Sequence, residues 1–312
     1  MKVLILGATG FVGGHLTRRL SRDGHSVTVT TRHAQAARRL GVIPRTCIRQ
    51  FDPYDRGRLG DELEGHDALI NLVGILNESG RDGSGFRRAH VELVETAIEA
   101  CRRAGVRRFL HMSALRAGEG DSFYLRTKGE AEAAVRDSGL DWTMFRPSTI
   151  FGPDDSFLNR FASLLAIAPV LPLARPDAKM APVFIDDVVE AFARALTDRD
   201  AIGEVYELCG PDVWTLREIV EWLIEQEGLC RKVVGLPDGL GRLQGRTFDF
   251  VPGKPFSSDN FKSLLVESVC SDNGFERLGI EPWPMREKAP EWLAEGDRQS
   301  LYQRFRSRAG RE

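Results

Sequence analysis

Apolar residues gather in short, nearly unbroken runs through the first half of the chain. The runs are "KVLIL", "SVTVTT", "TCIRQF", "DALINLVG", "RRFLHMSA" and "DWTMFR". Runs of that length predict strands buried inside a parallel sheet. Between them, apolar positions recur every third or fourth residue, most clearly in "HVELVETAIEACRRAG" and "YLRTKGEAEAAVRDSG". That spacing predicts amphipathic helices, the second stopped at Gly139. Strand, helix and strand in repetition predict an α/β fold, a doubly wound parallel sheet with helices on both faces. A ligand of such a sheet lies at the carboxyl ends of its strands.

The pattern loosens after "RPSTIFGPDD", where prolines become frequent. Residues 1–150 are therefore read as one domain. Residues 151–312 are read as a smaller α/β lobe, interleaved with the first, that shapes a substrate cleft or a docking surface. In this half "APVFIDDVVEAFARAL" predicts a strand leading into a helix with Asp186 or Asp187 near its start. "EVYELCG" and "TLREIVEWLIEQEG" predict a further strand and helix. Asp238 to Ser258 reads as loop. The stretch "FASLLAIAPVLPLA", Phe161 to Ala174, is strongly apolar and interrupted by Pro169 and Pro172. It reads as a buried helix and loop. The sharper alternative is a wall for a lipophilic substrate such as a quinone or isoprenoid, or a surface that touches a bilayer.

Directly behind the first apolar run stands "GATGFVGGHL", with Gly7, Gly10 and Gly13 spaced G-x-x-G-x-x-G. Glycine allows a tight turn and close approach of backbone to a ligand. The helix that follows offers unpaired N–H groups and a partial positive charge. A glycine turn between strand and helix is the context in which a dinucleotide phosphate binds. Thr9, Phe11 and Val12 lie within the same turn and join the expected cofactor contacts. A site that selects NAD has an acidic residue at the end of the second strand. This strand ends Thr30, Thr31, Arg32 instead. An arginine there suits a 2′-phosphate, so NADP(H) is favoured and NAD(H) is the alternative. Asp52, after the third strand, is read as an adenine contact or as a cap. Leu72, Val73 and Gly74 close the fourth strand and Pro147 the sixth, which places them in the same contact set.

"FYLRTKGE" brings Tyr124 and Lys128 four residues apart, on one face of a helix. A phenol titrates near ~10, and a nearby ammonium favours the phenolate. Tyr124 is then expected to pass a proton to a substrate oxygen while the nicotinamide carries hydride. Lys128 would also bond the nicotinamide ribose. The bland reading of the pair is an exposed helix surface.

Bulk properties mainly exclude. Net charge is −2 over 312 residues, which gives no field for nucleic acid. Five scattered cysteines and six scattered histidines form no C-x-x-C or metal-ligand spacing. Reduced thiols in a cytoplasmic protein are expected, and no metal. The opening apolar run is too short for a signal peptide, and no run is long enough to span a bilayer. The end, "RQSLYQRFRSRAGRE", is basic and reads as a solvated tail or, less simply, as a contact for anionic lipid or an acidic partner.

Taken together, the glycine turn, "HMSA", "YLRTK", "FRPSTIFGPDD" and "PVFIDDVVEA" resemble an extended or atypical short-chain dehydrogenase/reductase. "YLRTKGEAE", the apolar stretch and "VPGKPFSSDNFKSLL" are similar to the branch that contains the NADPH-binding accessory subunit of respiratory complex I and its bacterial homologues. The resemblance implies a Rossmann-type fold, NADP(H) binding, and hydride transfer to or from a lipophilic or quinone-type substrate. It also implies a respiratory or quinone-synthesis complex as partner and a peripheral place at the inner membrane. The other readings are a non-catalytic protein stabilised by NADPH, and a nucleotide-sugar epimerase or dehydratase. Sugar-nucleotide enzymes of the family carry paired Ser or Ser/Thr after the fifth strand. Here Ser113 is followed by Ala114 and Leu115, leaving Ser113 as the third catalytic candidate. His90 stands where the family commonly has asparagine.

Overall fold

The computed structural model describes residues 1–251, 254 and 256–293. The basic tail read from the sequence lies outside the described residues. Seven strands form the main sheet: β1 (Lys2–Leu6), β2 (Ser26–Thr31), β3 (Thr46–Gln50), β4 (Ala68–Asn71), β5 (Arg108–Met112), β6 (Asp141–Pro147) and β7 (Val205–Leu208). Their order is β7-β6-β5-β4-β1-β2-β3, and every neighbouring pair is parallel. The six runs of the first half are thus β1 to β6. The "EVYELCG" run is β7, and it extends the main sheet beside β6 rather than founding a separate one.

The principal helices are α1 (Phe11–Arg22), α2 (Arg56–Leu63), α3 (Leu93–Ala104), α4 (Phe123–Arg136), α5 (Leu158–Ile167), α6 (Ile185–Thr197), α7 (Leu216–Gln226), α8 (Asp238–Phe248) and α9 (Ser258–Ser263). Successive strand residues point to opposite faces of a sheet. Val3 and Ile5 accordingly enter one core with Leu16 of α1 and Val188 and Phe192 of α6. Leu4 and Leu6 enter the other with Leu59 of α2, Val94 and Ala97 of α3, and Ala131 and Val135 of α4. Burial on both faces explains why the strand runs are apolar without alternation.

Three expectations need correction. Asp238 to Ser258 is not a loop, because its first half forms α8. The glycines that suggested a loop face inward: a Cβ at Gly241 would meet Phe261 and Ala174, and one at Gly245 the backbone of Ser257 and Ser258. They permit close packing of the helix, and they do not break it. The second half of the apolar stretch is a strand as well, Val170–Ala174, paired in parallel with Lys232–Leu236. Only part of that stretch is buried. Leu165, Leu171, Leu173 and Ala174 are enclosed, whereas Ile167 is 85% exposed. Finally, Cys209 and Cys270 are joined as a disulfide across 61 residues. The segment at Ser268 bridges Met180 and carries Cys270 to the end of β7. No spacing in the sequence signals that encounter. Cys47, Cys101 and Cys230 are free thiols.

A methyl group at Gly13 would collide with Ala8 Cα and the Gly7 carbonyl, both backbone atoms. Gly13→Ala should therefore cost about 1–3 kcal/mol of stability through overpacking. It should also weaken dinucleotide binding. Urea unfolding and fluorescence titration with NADPH measure the two effects.

Candidate active site

The glycine turn makes a cradle. Gly7 has φ +81°, and a Cβ on it would stand 3.0 Å from the backbone of Leu72 and Val73. The Gly10 amide donates to the Gly7 carbonyl at 3.0 Å, which closes the turn. Gly10 is also the N-cap of α1, with no side-chain cap and no acidic residue in the first turn. The first N–H groups of α1 therefore keep their affinity for an anion. Val12 is buried in the core beneath this turn, so it can offer a ligand only its backbone, and Leu72 and Pro147 are likewise enclosed. Thr9 is exposed, and Phe11 packs edge-on against His15. This cradle of small residues, free amides and positive helix end fits a dinucleotide pyrophosphate.

Two arginines act on Tyr54, which follows β3. Arg32 is exposed. The Arg88 guanidinium lies 4.7 Å over the Tyr54 ring. Burial is the main cause that raises the Tyr54 pKa, and the charges of Arg88 and Arg32 oppose it, so both arginines act on one spot. Asp52 is exposed and accepts from the Tyr54 amide at 3.3 Å, the geometry of a turn cap.

Helix α4 carries Tyr124 and Lys128. Ser122 caps it through the Leu125 amide at 3.1 Å. Asp259, from α9 far along the chain, accepts from the amides of Phe123 (2.7 Å) and Tyr124 (3.1 Å). Lys128 is enclosed, and its Nζ donates to the Met112 carbonyl at 3.1 Å. A Cβ at Gly74 would come within 3.2 Å of that Nζ, so glycine is what leaves the notch open. Burial lowers the Lys128 pKa to about 8, against the pull of Glu132. Burial raises Tyr124 to about 12. The spacing of the pair predicts a lowered phenol pKa; in the fold, loss of water around the ring dominates and the phenol stays protonated.

His90 stands edge-on to Tyr124 with ring centroids 5.5 Å apart. It sits in a π-helical turn, Arg88–Glu92, just before α3. Its Nε2 lies 3.1 Å from the Ile75 amide, which can only donate. The neutral ring therefore carries its proton on Nδ1, 2.8 Å from Thr127 Oγ1. Thr127 donates onward to the Phe123 carbonyl at 2.7 Å. Burial first, then the charge of Lys128, pushes the His90 pKa down to about 2. His90 is thus a fixed, neutral brace and not a proton donor.

Ser113 points elsewhere. Its hydroxyl donates to Glu132 Oε1 at 2.6 Å. Arg146 grips both carboxylate oxygens, at 2.8 and 2.6 Å, and Arg136 adds a bond at 3.0 Å. The structure brings Tyr124, Lys128, His90 and Gly74 together, and it ties Ser113 into this ion-pair node. The sequence reading missed Glu132, Thr127, Tyr54, Arg88 and Asp259. Glu132 had a signal, since it follows Lys128 by one helical turn. Asp259 had none, because its partner lies 135 residues away.

A glycine-turn parallel sheet with a tyrosine and a lysine at its carboxyl edge defines a nucleotide-binding protein of the short-chain dehydrogenase/reductase class. A family model described as NAD(P)H-binding matches residues 7–156. Subunit 9 of the NADH dehydrogenase [ubiquinone] 1 alpha subcomplex of Rattus norvegicus mitochondria is 29% identical over 300 residues, covering 93% of this chain and 78% of the relative. The ceramide reductase of Caulobacter vibrioides is 32% identical over 244 residues, covering 76% of this chain and 74% of that protein. Among solved structures, UDP-glucose 4-epimerase from Thermotoga maritima superposes with a TM-score of 0.77 at 18% identity, covering 96% of this chain and all of that one. The chain belongs to this NAD(P)H-binding family of atypical, extended short-chain dehydrogenases/reductases, together with the complex I accessory subunit.

Breaking a buried ion pair from one side leaves the other charge uncompensated. Glu132→Gln should therefore destabilise the fold by roughly 3 kcal/mol, read from urea unfolding at neutral pH. Burial alone would raise the Glu132 pKa, but hydrogen bonds from Arg146 and Ser113 and the nearby arginine charges hold it below its ordinary 4.5. Its stabilising share is thus present above that value and lost as pH falls through the lower folded one. The variant should lose less stability than the wild type over that acid range.

Proposed function

We propose that the protein is an NADP(H)-dependent oxidoreductase of the complex I accessory-subunit type that acts on a carbonyl or hydroxyl group of a lipophilic substrate. The observation that carries this reading is Tyr124. Its phenol is kept protonated by burial, braced by neutral His90, on the same helix face as Lys128 at the Gly74 notch. The cradle of Gly7, Gly10 and Gly13 would hold the pyrophosphate, and Gly74 and Lys128 would border the nicotinamide ribose. When bound, the cofactor supplies or accepts hydride at the substrate carbon. In the reducing direction the Tyr124 O–H gives its proton to the substrate oxygen, and the Lys128 ammonium stabilises the phenolate left behind. Solvent returns the proton to Tyr124. Arg32 and Arg88 around Tyr54 support NADP(H), since two guanidinium groups suit a 2′-phosphate better than a diol. The partly exposed apolar stretch around Ile167 supports a lipophilic substrate, and the Caulobacter relative is named for reduction of ceramide, a lipid.

One observation favours a second reading. Lys128 is bonded to the Met112 carbonyl and Ser113 to Glu132, so two of the three expected catalytic groups already have protein partners. That arrangement suits a bound NADPH that stabilises an assembly protein, with docking on a respiratory or quinone-synthesis complex.

The deciding experiment follows the absorbance of bound NADPH while a quinone-containing lipid extract is added, with Tyr124→Phe alongside. We expect decay with the wild type only, and equal NADPH affinity in both. Stable NADPH in both proteins would favour the assembly reading. Lys128 keeps its charge below about 8 and loses it above, so the rate of reduction should fall as pH rises through that value. Arg32→Asp should weaken NADPH relative to NADH by about tenfold or more, measured by fluorescence titration of both cofactors.

A further inference from the structure

The disulfide between Cys209 and Cys270 has no role in the site just described, yet it stands at the same edge of the sheet. Cys209 directly follows β7, and Cys270 lies on a strap, residues 264–273, that runs on from α9. The strap crosses the carboxyl ends of β5 and β6. Arg116, three residues after Ser113, donates to the Val269 carbonyl at 3.0 Å. Ser148, next to Pro147, donates to the Ser268 carbonyl at 2.8 Å, and the Ala181 amide donates to the same oxygen at 3.0 Å. A ligand of a doubly wound sheet lies at that edge. The strap therefore walls the space beyond those strands, and α9, from which it starts, caps the Tyr124 helix.

Apart from the disulfide, little apolar packing holds the strap. Phe261 before it and Phe275 after it are buried, but no residue from 264 to 273 is fully buried. Its apolar anchor is a small cluster apart from the two main cores, made by Leu115, Ala181 and Cys209 with Cys270 against them. The disulfide itself is thus half of that anchor. The other ties are hydrogen bonds, among them the Ser271 amide to Glu207 at 2.7 Å and the Asn273 side chain to the Cys209 carbonyl at 3.0 Å. Groups that are half open to water exchange such bonds for water at small net cost. Local opening is easiest where buried apolar contacts are few.

The bond is also placed to be broken. Thiol–disulfide exchange needs an accessible sulfur and a stabilised leaving thiolate. Cys270 is half-buried and is followed by exposed Ser271 and Asp272, whereas Cys209 is only 3% exposed. Attack is therefore directed to Cys270 Sγ. The Cys270 amide donates to Cys209 Sγ at 3.0 Å, which favours negative charge on the sulfur that leaves. The chain also keeps Cys47 and Cys230 as free, exposed thiols. Exposed thiols suit surroundings that hold thiols reduced, and a disulfide there is a transient, redox-sensing bond.

We propose that Cys209 and Cys270 form a reversible redox latch: oxidised, they pin the strap across the ends of β5 and β6, and reduced, they release it and open that edge of the sheet. The reductant is a dithiol. One of its thiolates attacks Cys270 Sγ, the bond between the two cysteine sulfurs breaks, and the electron pair leaves on Cys209 Sγ, which takes a proton from water. The second thiolate then attacks the mixed disulfide and frees the Cys270 thiolate, which is protonated in turn. The protein gains two electrons and two protons, and the dithiol becomes a cyclic disulfide. The opening of the strap is independent of turnover, and its consequence for substrate access rests on the oxidoreductase function proposed for this site.

The test treats the full chain, purified without reductant, with iodoacetamide in the absence of denaturant, before and after dithiothreitol. Labels are located by mass spectrometry. We expect Cys47 and Cys230 to be labelled beforehand, and Cys209 and Cys270 to join them only after reduction, with buried Cys101 unlabelled throughout. Amide hydrogen exchange in residues 264–273 should then rise about tenfold or more on reduction, while β1 to β6 stay protected. Cys270→Ser should show the faster exchange without reductant and no further response to dithiothreitol, and its protected sheet amides report that it folds. Labelling of Cys209 and Cys270 before reduction overturns the proposal, because no disulfide then exists. Resistance to dithiothreitol without denaturant also overturns it, since the bond is then a permanent staple. Unchanged exchange in the strap after reduction overturns it as well. These readouts need no turnover, so stable NADPH in the lipid-extract assay would count against the proposed oxidoreductase and leave the judgement on the latch intact.

Discussion

Glu132 takes a full negative charge into the interior and meets three elements there at once. Its carboxylate receives Ser113 from the end of β5, Arg146 from β6, and Arg136 from its own helix. Burying a charge is costly unless it is paired and hydrogen-bonded, so the pairing restricts how the helix can sit. Helix α4 cannot slide or rotate against the sheet without stripping that charge of a partner. Tyr124 and Lys128 ride on the same helix, two turns and one turn earlier. The position of the candidate chemistry is thus inherited from this ion pair, whose Glu132 charge also pulls the Lys128 pKa upward against burial.

The amino end of the same helix is held from the opposite end of the chain. Asp259 belongs to a short helix of the second half, yet it accepts the Phe123 and Tyr124 amides. Asn260 and Lys254 bond the loop after β4 from the same side. The second half therefore completes the frame of the site. The disulfide between Cys209 and Cys270 ties this returning segment to the end of β7.

Electrostatics inside the site follow from burial more than from pairing. Tyr124 is pushed up, and Lys128 and His90 are pushed down, each because its charged form loses water. A sequence shows that a lysine is near a tyrosine, but not how much solvent either keeps. The spacing was legible and the direction of the phenol's shift was not. The same limit applies to His90. Its position was readable, whereas its tautomer depends on the Ile75 amide and Thr127, which only the folded loop brings to it.

The sequence by itself determined the local geometry: six buried strand runs, the glycine turn, the tyrosine and lysine on one helix face, and the arginine where a carboxylate selects NAD. Each rests on interactions within a few residues, such as strand apolarity, glycine's missing Cβ and helical periodicity. Tertiary structure decided everything that depends on long separations. It placed "EVYELCG" beside β6, made a helix of the glycine-rich segment after Asp238, joined two scattered cysteines and engaged Ser113 with Glu132. Glycines that would break an isolated helix become close-packing contacts once Ala174, Phe261 and Ser257 stand opposite them. Propensity is a property of the segment, but the space that decides whether a missing side chain weakens or permits an element belongs to its neighbours in the fold.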